Sequence, residues 1–341
     1  MKAVRIHEHG DVDVIKWEDI DTPFPGPNKV LIDIKAGALN HLDIWVRGGI
    51  PGVSLPLILG SDGSGIVADK GADVNGFSIG DEVMINPLIS CGECDHCVKG
   101  HENLCISMGV LGESCDGIFA EKIIINERQL IHKPEFLSFE EAAAFLLVGQ
   151  TAYQMLIERA KISINNWVLI WGAGSGVGSI AIQIAKAKGA RVIAVSSSKE
   201  KLDKAAALGA DVTVDHSTQD VLKIVKESTN GFGANIVFEH VGQDTWDISM
   251  RSLSRGGRVV TCGATTGPKV NLNLTHLFIK QQTVLGSTMG SQASLEGAIG
   301  LLRQKKIKPV IDRVFPMCEI RSAHKYLESA DQFGKVVVSR Q

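Results

Sequence analysis

The sequence contains no run of about 18 consecutive apolar residues, the length a membrane-spanning helix needs. Its first residues, MKAVRIHEHG, also lack the apolar core of a secretory signal, so a cytoplasmic location is expected. No long block of one charge is present either. Thirty-five Lys+Arg face 38 Asp+Glu, a formal net charge of −3, so neither nucleic acid nor an anionic membrane is an expected partner. Proline is scarce, 10 residues against 36 glycines, which points to tight turns and close backbone approaches in place of stiff loops. Internal repeats and low-complexity segments are missing as well. What remains is an ordinary globular composition, 44% hydrophobic and 21% charged, over 341 residues. That excludes disordered, collagen-like and disulfide-scaffold classes and suggests about two domains of roughly 100–200 residues each.

The seven cysteines are unevenly placed. CGECDHCVKGHENLC sets Cys91, Cys94, Cys97 and Cys105 at the spacing C-x2-C-x2-C-x7-C, while Cys115, Cys262 and Cys318 stand alone. Without a secretion signal such a cluster reads as a metal site before a disulfide framework. Four thiolates suit a closed tetrahedral Zn2+, one per chain, which leaves no open position for water or substrate and so holds structure without doing chemistry. An iron–sulfur cluster is the alternative with similar spacing. His96 and His101 share the loop and are expected to face solvent.

Two textures divide the chain. Up to about residue 150, short β-rich runs such as KVLIDIKAGAL and GDEVMIN alternate with glycine-rich turns such as ILGSDGSGIV, predicting an irregular, mostly β lobe. From Trp167 strand and helix alternate strictly: WVLIWGA, ARVIAVSS, DVTVDH, NIVFEHVG, RVVTCGA and TVLGST are six strand candidates with helical segments between them. Continuous β-branched runs imply strands buried on both faces, hence an α/β, doubly wound parallel sheet. Val177, Ile180, Ala181 and Ile184 form an apolar helical stripe that should pack on that sheet. The tail after Thr288 is assigned back to the first lobe.

The first of these strands ends in GAGSGVG, Gly172 to Gly178, and opens directly into a helix. Backbone N–H groups and the helix dipole there can hold a pyrophosphate, and glycines let it approach, so dinucleotide binding is expected around Gly174, Ser175, Gly176 and Val177. The literal G-x-G-x-x-G register is not met, because Val177 stands at the last position. At the end of the second strand, where an acid would accept the ribose 2′-OH, the chain has Ser196, followed by Ser197, Ser198, Lys199 and Lys201. Hydroxyls and positive charge there favour a 2′-phosphate and predict NADP(H). The plainer reading is a polar loop with Ser198 capping the next helix.

Together, the four-cysteine loop ahead of a nucleotide-binding sheet, the GDEV turn and the returning tail resemble the zinc-containing alcohol dehydrogenases of the medium-chain dehydrogenase/reductase superfamily. The resemblance implies a GroES-like catalytic domain from residues 1–148 and 288–341, a Rossmann domain from residues 149–287, a substrate cleft at their junction, and a homodimer or homotetramer acting on a small molecule. It also places Thr151, Tyr153, Gly263 and the stretch Gly286 to Gly290 near the cofactor.

The family's catalytic zinc ligands are replaced. Where the family has the Cys of C-x-[ST]-D, the His of GHE and a further Cys, this chain has Asn40 in NHLD, Ser61 in GSD and Val148 in LLVGQTAY, with the family's interval of twenty-one residues kept from Asn40 to Ser61. Val has no donor atom, and neutral amide and hydroxyl oxygens are poor substitutes for thiolate and imidazole. Leu42 likewise replaces the hydroxyl that begins the family's proton relay. The pattern resembles the zinc-independent branches, the quinone oxidoreductases and the enoyl and acryloyl-thioester reductases. Hydride addition to a conjugated acceptor leaves charge on an enolate or quinol oxygen that hydrogen bonds can hold, each donor contributing about 2.7–4 kcal/mol.

Asn40 and Ser61 are the candidate donors, His41 a candidate proton donor or pyrophosphate contact, and Trp45, Leu111, Val148 and Met289 candidate pocket walls. Asp43 is expected to anchor a backbone turn and His240 to be structural. Two alternatives stay open: an alcohol dehydrogenase whose metal site is rebuilt from His41, Asp43 or Asp62, and a non-catalytic NADPH-binding protein.

Overall fold

A computed structural model describes residues 1–340, which divide into two compact units, 1–147 with 309–340 and 148–308. The division falls twenty-one residues later than the sequence suggests: residues 288–308, read above as part of the returning tail, group with the second unit.

The first unit is mostly β. In its seven-stranded sheet the strands Leu130–His132, Glu82–Ile85, Asp62–Lys70, Lys29–Ala38, Lys335–Ser339 and Ile311–Pro316 lie in that order, and Lys122–Asn126 also pairs with Lys29–Ala38. All pairings are antiparallel except the last, where helix Ile320–Glu328 makes the crossover between two parallel strands. Most of the buried apolar residues of these strands, with Phe119 and Leu327, form one core, while Ala36, Ala38 and Val337 pack with Ala143 and Ala144. Two features of this frame set the site. The tail strand lies beside Lys29–Ala38, so Lys335 arrives next to residues nearly three hundred positions earlier. Gly60 has φ +102°, and a Cβ there would lie 2.7 Å from the Phe119 ring. Any side chain at residue 60 would therefore displace Ser61 and Asp62 from their seats.

The second unit carries the predicted parallel sheet. Six strands run in the order Val212–Asp215, Arg191–Ser196, Trp167–Ile170, Ala234–Glu239, Leu253–Thr261 and Thr283–Gly286, all parallel. The chain order reverses beside Trp167–Ile170, the switch point where such sheets bind nucleotides. Helix Gly176–Ala187 buries Ile180, Ala181 and Ile184 against the sheet as the stripe predicts, while Val177 is half-buried. Helix Leu274–Ile279, which the sequence pattern does not announce, precedes the edge strand.

Candidate functional site

In the first unit the motif NHLD opens helix His41–Gly48. Asn40 is its N-cap, and the Asp43 carboxylate reaches back to accept the Asn40 backbone N–H at 2.7 Å. This turn holds Asn40 beside Asp62. The Asn40 Nδ2 donates to Asp62 Oδ2 at 2.9 Å, while the Lys335 ammonium donates to Asn40 Oδ1 at 2.6 Å and to the same Asp62 oxygen at 2.9 Å. The Leu147 N–H donates to the other Asp62 oxygen at 2.8 Å. Asp62, Lys335 and Asn40 are all buried, so a paired ammonium and carboxylate sit locked by an amide at the base of the motif.

Lys335 does not stand out in sequence as a functional residue, and Asp62 does so only as a possible ligand of a rebuilt metal site. Their network uses the Asn40 carbonyl and one of its two amide protons, leaving one Nδ2 proton as a donor. The Ser61 hydroxyl is fully buried and has no partner, as does Asp43 Oδ1.

Asp43 is the titratable member of this group. Burial pushes its carboxyl up to about 7, against the lowering effect of the Asn40 N–H and the Lys335 ammonium, and the Asp62 charge adds to the rise. Its pKa in the unfolded chain is about 3.9, so the native state holds an extra proton between about pH 4 and pH 7 and loses stability as pH rises through that window. Asp43→Asn keeps an acceptor for the Asn40 N–H and removes the titration. Thermal midpoints of wild type and variant measured from pH 4.5 to 8.5 are expected to converge or cross as pH rises, the variant gaining relative stability. A pH-independent difference would refute the assignment.

His41 is half-buried with its ring 6.3 Å from that of Trp45, which is 38% exposed. Leu111, offered above as a pocket wall, is buried and belongs to the core of the first unit.

The four cysteine sulfurs lie within 4.8 Å of one another, with Sγ–Sγ separations of 3.9 Å for Cys91–Cys97, 3.6 Å for Cys94–Cys97 and 3.5 Å for Cys91–Cys105. A tetrahedron of Zn–S bonds of about 2.3 Å places sulfurs about 3.8 Å apart, so the thiols already have the spacing the ion needs. Backbone N–H groups support the thiolates: that of Cys91 points to the Cys105 sulfur, that of Cys94 to Cys91, and that of Ser107 to Cys105. His96 and His101 are exposed and lie outside the cluster. Among the described residues no other group of three or more His, Cys, Asp or Glu side chains could hold a metal ion.

In the second unit the glycine turn has the construction of an anion cradle. Gly172 has φ +56°, and a Cβ at Gly178 would lie 2.3 Å from the Gly172 carbonyl oxygen. The tight helix–strand contact that the last glycine of a dinucleotide motif provides is thus made by Gly178, one residue beyond the literal spacing. Ser175 is the N-cap and its hydroxyl accepts the Gly178 N–H at 2.9 Å. That leaves the Gly176 and Val177 N–H groups as first-turn donors for a pyrophosphate. His240 packs against the turn, its Nε2 3.0 Å from the Trp171 carbonyl oxygen, and burial holds its pKa below the usual histidine value. Beside the turn, buried Glu239 is saturated by the Val241 and Gly242 N–H groups and the hydroxyls of Thr245 and Ser249.

The other predicted residues of this unit fall in three places. Ser196 ends its strand opposite Asp215 and is buried, Ser198 caps the next helix through the Lys201 N–H, and Lys199 pairs with Asp203. Gly263 follows the strand Leu253–Thr261 next to the His240 carbonyl. Val148, Thr151 and Met289 are gathered by Gln150, whose amide donates to the Gly290 and Ser291 carbonyls at 2.8 and 3.2 Å. The buried Thr151 hydroxyl has no partner there.

Comparison with known proteins agrees with this construction. Residues 26–135 match the alcohol dehydrogenase GroES-like domain and residues 176–304 the zinc-binding dehydrogenase domain. The chain is 32% identical to an NAD-dependent alcohol dehydrogenase of Sulfurisphaera tokodaii, over 99% of both chains. It is 30% identical to a quinone oxidoreductase of Pseudomonas aeruginosa, again over 99% of both. A crystal structure of an NAD-dependent alcohol dehydrogenase superposes with a TM-score of 0.97 at 43% identity, covering 100% of each chain. With a GroES-like domain, a parallel nucleotide-binding sheet and a four-cysteine cluster in one chain, this protein belongs to the zinc-type alcohol dehydrogenases of the medium-chain dehydrogenase/reductase superfamily, oxidoreductases that act on small molecules.

Proposed function

We propose that the protein is an NADP(H)-linked reductase of activated carbonyl acceptors, namely quinones, enones and bulky ketones, that works without a catalytic zinc. The observation that carries this reading is the buried Asn40–Asp62–Lys335 network. Asn40, Ser61 and Val148 stand where the family's zinc ligands are, and the positive charge at the base of this motif is the Lys335 ammonium, 2.9 Å from Asp62. A metal rebuilt on Asp62 would have to displace that ammonium from a buried carboxylate whose two oxygens are already engaged.

A nicotinamide dinucleotide held by the Gly176 and Val177 N–H groups would supply the hydride. The remaining Asn40 Nδ2 proton and the unpartnered Ser61 hydroxyl are the donors for the oxygen on which charge develops, and Lys335 orients Asn40 for that task. Such donors suit an oxygen whose charge is already delocalised, whereas an unactivated aldehyde needs the larger polarisation of a Lewis acid.

The 2′-phosphate preference rests on Ser196 in place of an acid, with Ser197 and the Lys201 side chain beyond it. Two of the relatives are named as NAD-dependent, which favours the other cofactor. One assay addresses both points: oxidation of NADPH and of NADH is followed with a quinone, an enone and a simple aldehyde, with and without chelator. The expected result is NADPH-driven, chelator-insensitive turnover of the conjugated acceptors. Preference for NADH would overturn the cofactor assignment. Tight NADPH binding without turnover of any acceptor would identify a non-catalytic binding protein, and rapid chelator inhibition would restore a metal-dependent alcohol dehydrogenase.

We further infer a homo-oligomer formed through the edge strand Thr283–Gly286, which is unpaired on its outer side and lies near exposed Leu274, Phe278 and Ile279. A monomeric mass in sedimentation at micromolar concentration would contradict it. The reduced four-thiol cluster also fits a reducing compartment such as the cytoplasm.

A further inference from the structure

The strands of the parallel sheet in the second unit have two ends, and the reading above places the dinucleotide at the carboxyl ends. At the opposite ends, where the strands begin, a cleft of about 650 Å³ is lined by the first residues of three strands, Trp167, Arg191 and Leu253, and by the loop from Ser228 to Gly233. That volume lies within the usual range of roughly 300–1,000 Å³ for small-molecule sites.

The lining is strongly one-signed. Arg191, Lys226, Arg255 and Lys280 all border the cleft, and no carboxylate does. Among the described residues none of the four is paired with an acid; the Arg191 guanidinium instead lies 5.4 Å from the Trp167 ring centroid, and Arg255 donates to the Ile279 carbonyl at 2.9 Å. Burial and the neighbouring Lys280 ammonium both lower the Lys226 pKa, as two like charges brought together without a counter-ion require.

Two further groups lack a task in the protein itself. Ser254, 8% exposed, is among the lining residues and its buried hydroxyl has no hydrogen-bond partner, and Phe232 stands at the rim 78% exposed. An anion seated among the four cations would relieve their mutual repulsion.

We propose that this cleft binds a small polyanion carrying phosphate groups. The chemistry is that of charge-assisted hydrogen bonds from guanidinium and ammonium donors to phosphate oxygens, with Phe232 available to stack on an attached ring. The site is separate from the glycine turn, which lies at the other end of the same strands, so an occupant here does not compete with the dinucleotide.

The test uses the intact protein saturated with NADPH, so that the glycine turn is filled. Pyrophosphate and ATP are titrated calorimetrically at low ionic strength into wild type, Lys226→Gln, Lys280→Gln and Phe232→Ala. One equivalent is expected to bind wild type and to raise its thermal midpoint. Affinity should fall at least tenfold in each lysine variant, while NADPH affinity and the circular dichroism spectrum stay unchanged. ATP binding tighter than pyrophosphate, with the advantage lost in Phe232→Ala, supports the site as one for a nucleotide; equal binding supports it as one for inorganic pyrophosphate. No binding to the NADPH-saturated protein, or equal binding by the lysine variants, overturns the proposal.

Discussion

Lys335→Met is expected to destabilise the first unit by about 3–5 kcal/mol, the usual cost of removing one partner from a buried ion pair. The size of the effect follows from where the charge is left. Asp62 is fully buried, and its Oδ2 accepts from only two groups, Lys335 and Asn40. Without the ammonium a carboxylate remains enclosed with an amide and the Leu147 N–H as its remaining partners. Asn40 loses the donor to its carbonyl at the same time, so its amide is held by Asp62 alone.

Denaturant unfolding of wild type and variant measures the loss. The double variant Asp62→Asn/Lys335→Met removes both charges and should recover at least half of it, since replacing a whole buried pair costs far less than breaking one. NADPH affinity should be unaffected, because the glycine turn belongs to the other unit. An unchanged unfolding midpoint in Lys335→Met would mean that the pair does not hold this motif together.

This network also marks where reading the sequence stops. The parallel sheet is legible because its signal is local: continuous β-branched runs with glycine turns can be recognised within ten residues. The cysteine cluster is legible for the same reason, since C-x2-C turns place sulfurs by short-range geometry. Lys335 gives no such signal. In GKVVVSR it reads as a solvated lysine at the start of a strand, and its partners Asn40 and Asp62 lie 295 and 273 positions away.

Asn40 and Ser61 could be found only through the family's spacing, and spacing says nothing of what their polar atoms already hold. The helix Leu274–Ile279 was hidden because LTHLFI has too few residues to display a 3.6-residue period and is preceded by the β-like VNLN. The segment 288–308 shows the same limit. Helix Gln292–Arg303 is plain in sequence, but Gln150, whose amide ties the turn just before that helix to the second unit, carries no mark of that contact. The register of the glycine turn is a milder case: the literal motif breaks at Val177, while the contact it encodes is made at Gly178.

Removing the metal from the four-cysteine site should have the second large effect. Four sulfurs within 4.8 Å of one another, with three backbone N–H groups aimed at them, are spaced to take Zn2+ in a closed tetrahedron. In small Cys/His modules the metal contributes about 10–16 kcal/mol of apparent binding free energy, most of which is local folding. Stripping it should therefore unfold the loop 91–105 and lower the thermal midpoint of the protein. Hydride transfer should persist in molecules that remain folded, because no ligand of this site touches the Asn40–Ser61 region. A catalytic metal behaves in the opposite way, its loss abolishing turnover while the fold is intact. These two outcomes separate a structural ion from a chemical one.

The most direct measurement is the number of zinc atoms per chain in protein purified with zinc available, by elemental mass spectrometry against an accurate protein concentration. One atom per chain is the predicted result, the ion of Cys91, Cys94, Cys97 and Cys105. Two atoms per chain would place a metal where Lys335 is held to supply the charge, and would contradict a zinc-free active site.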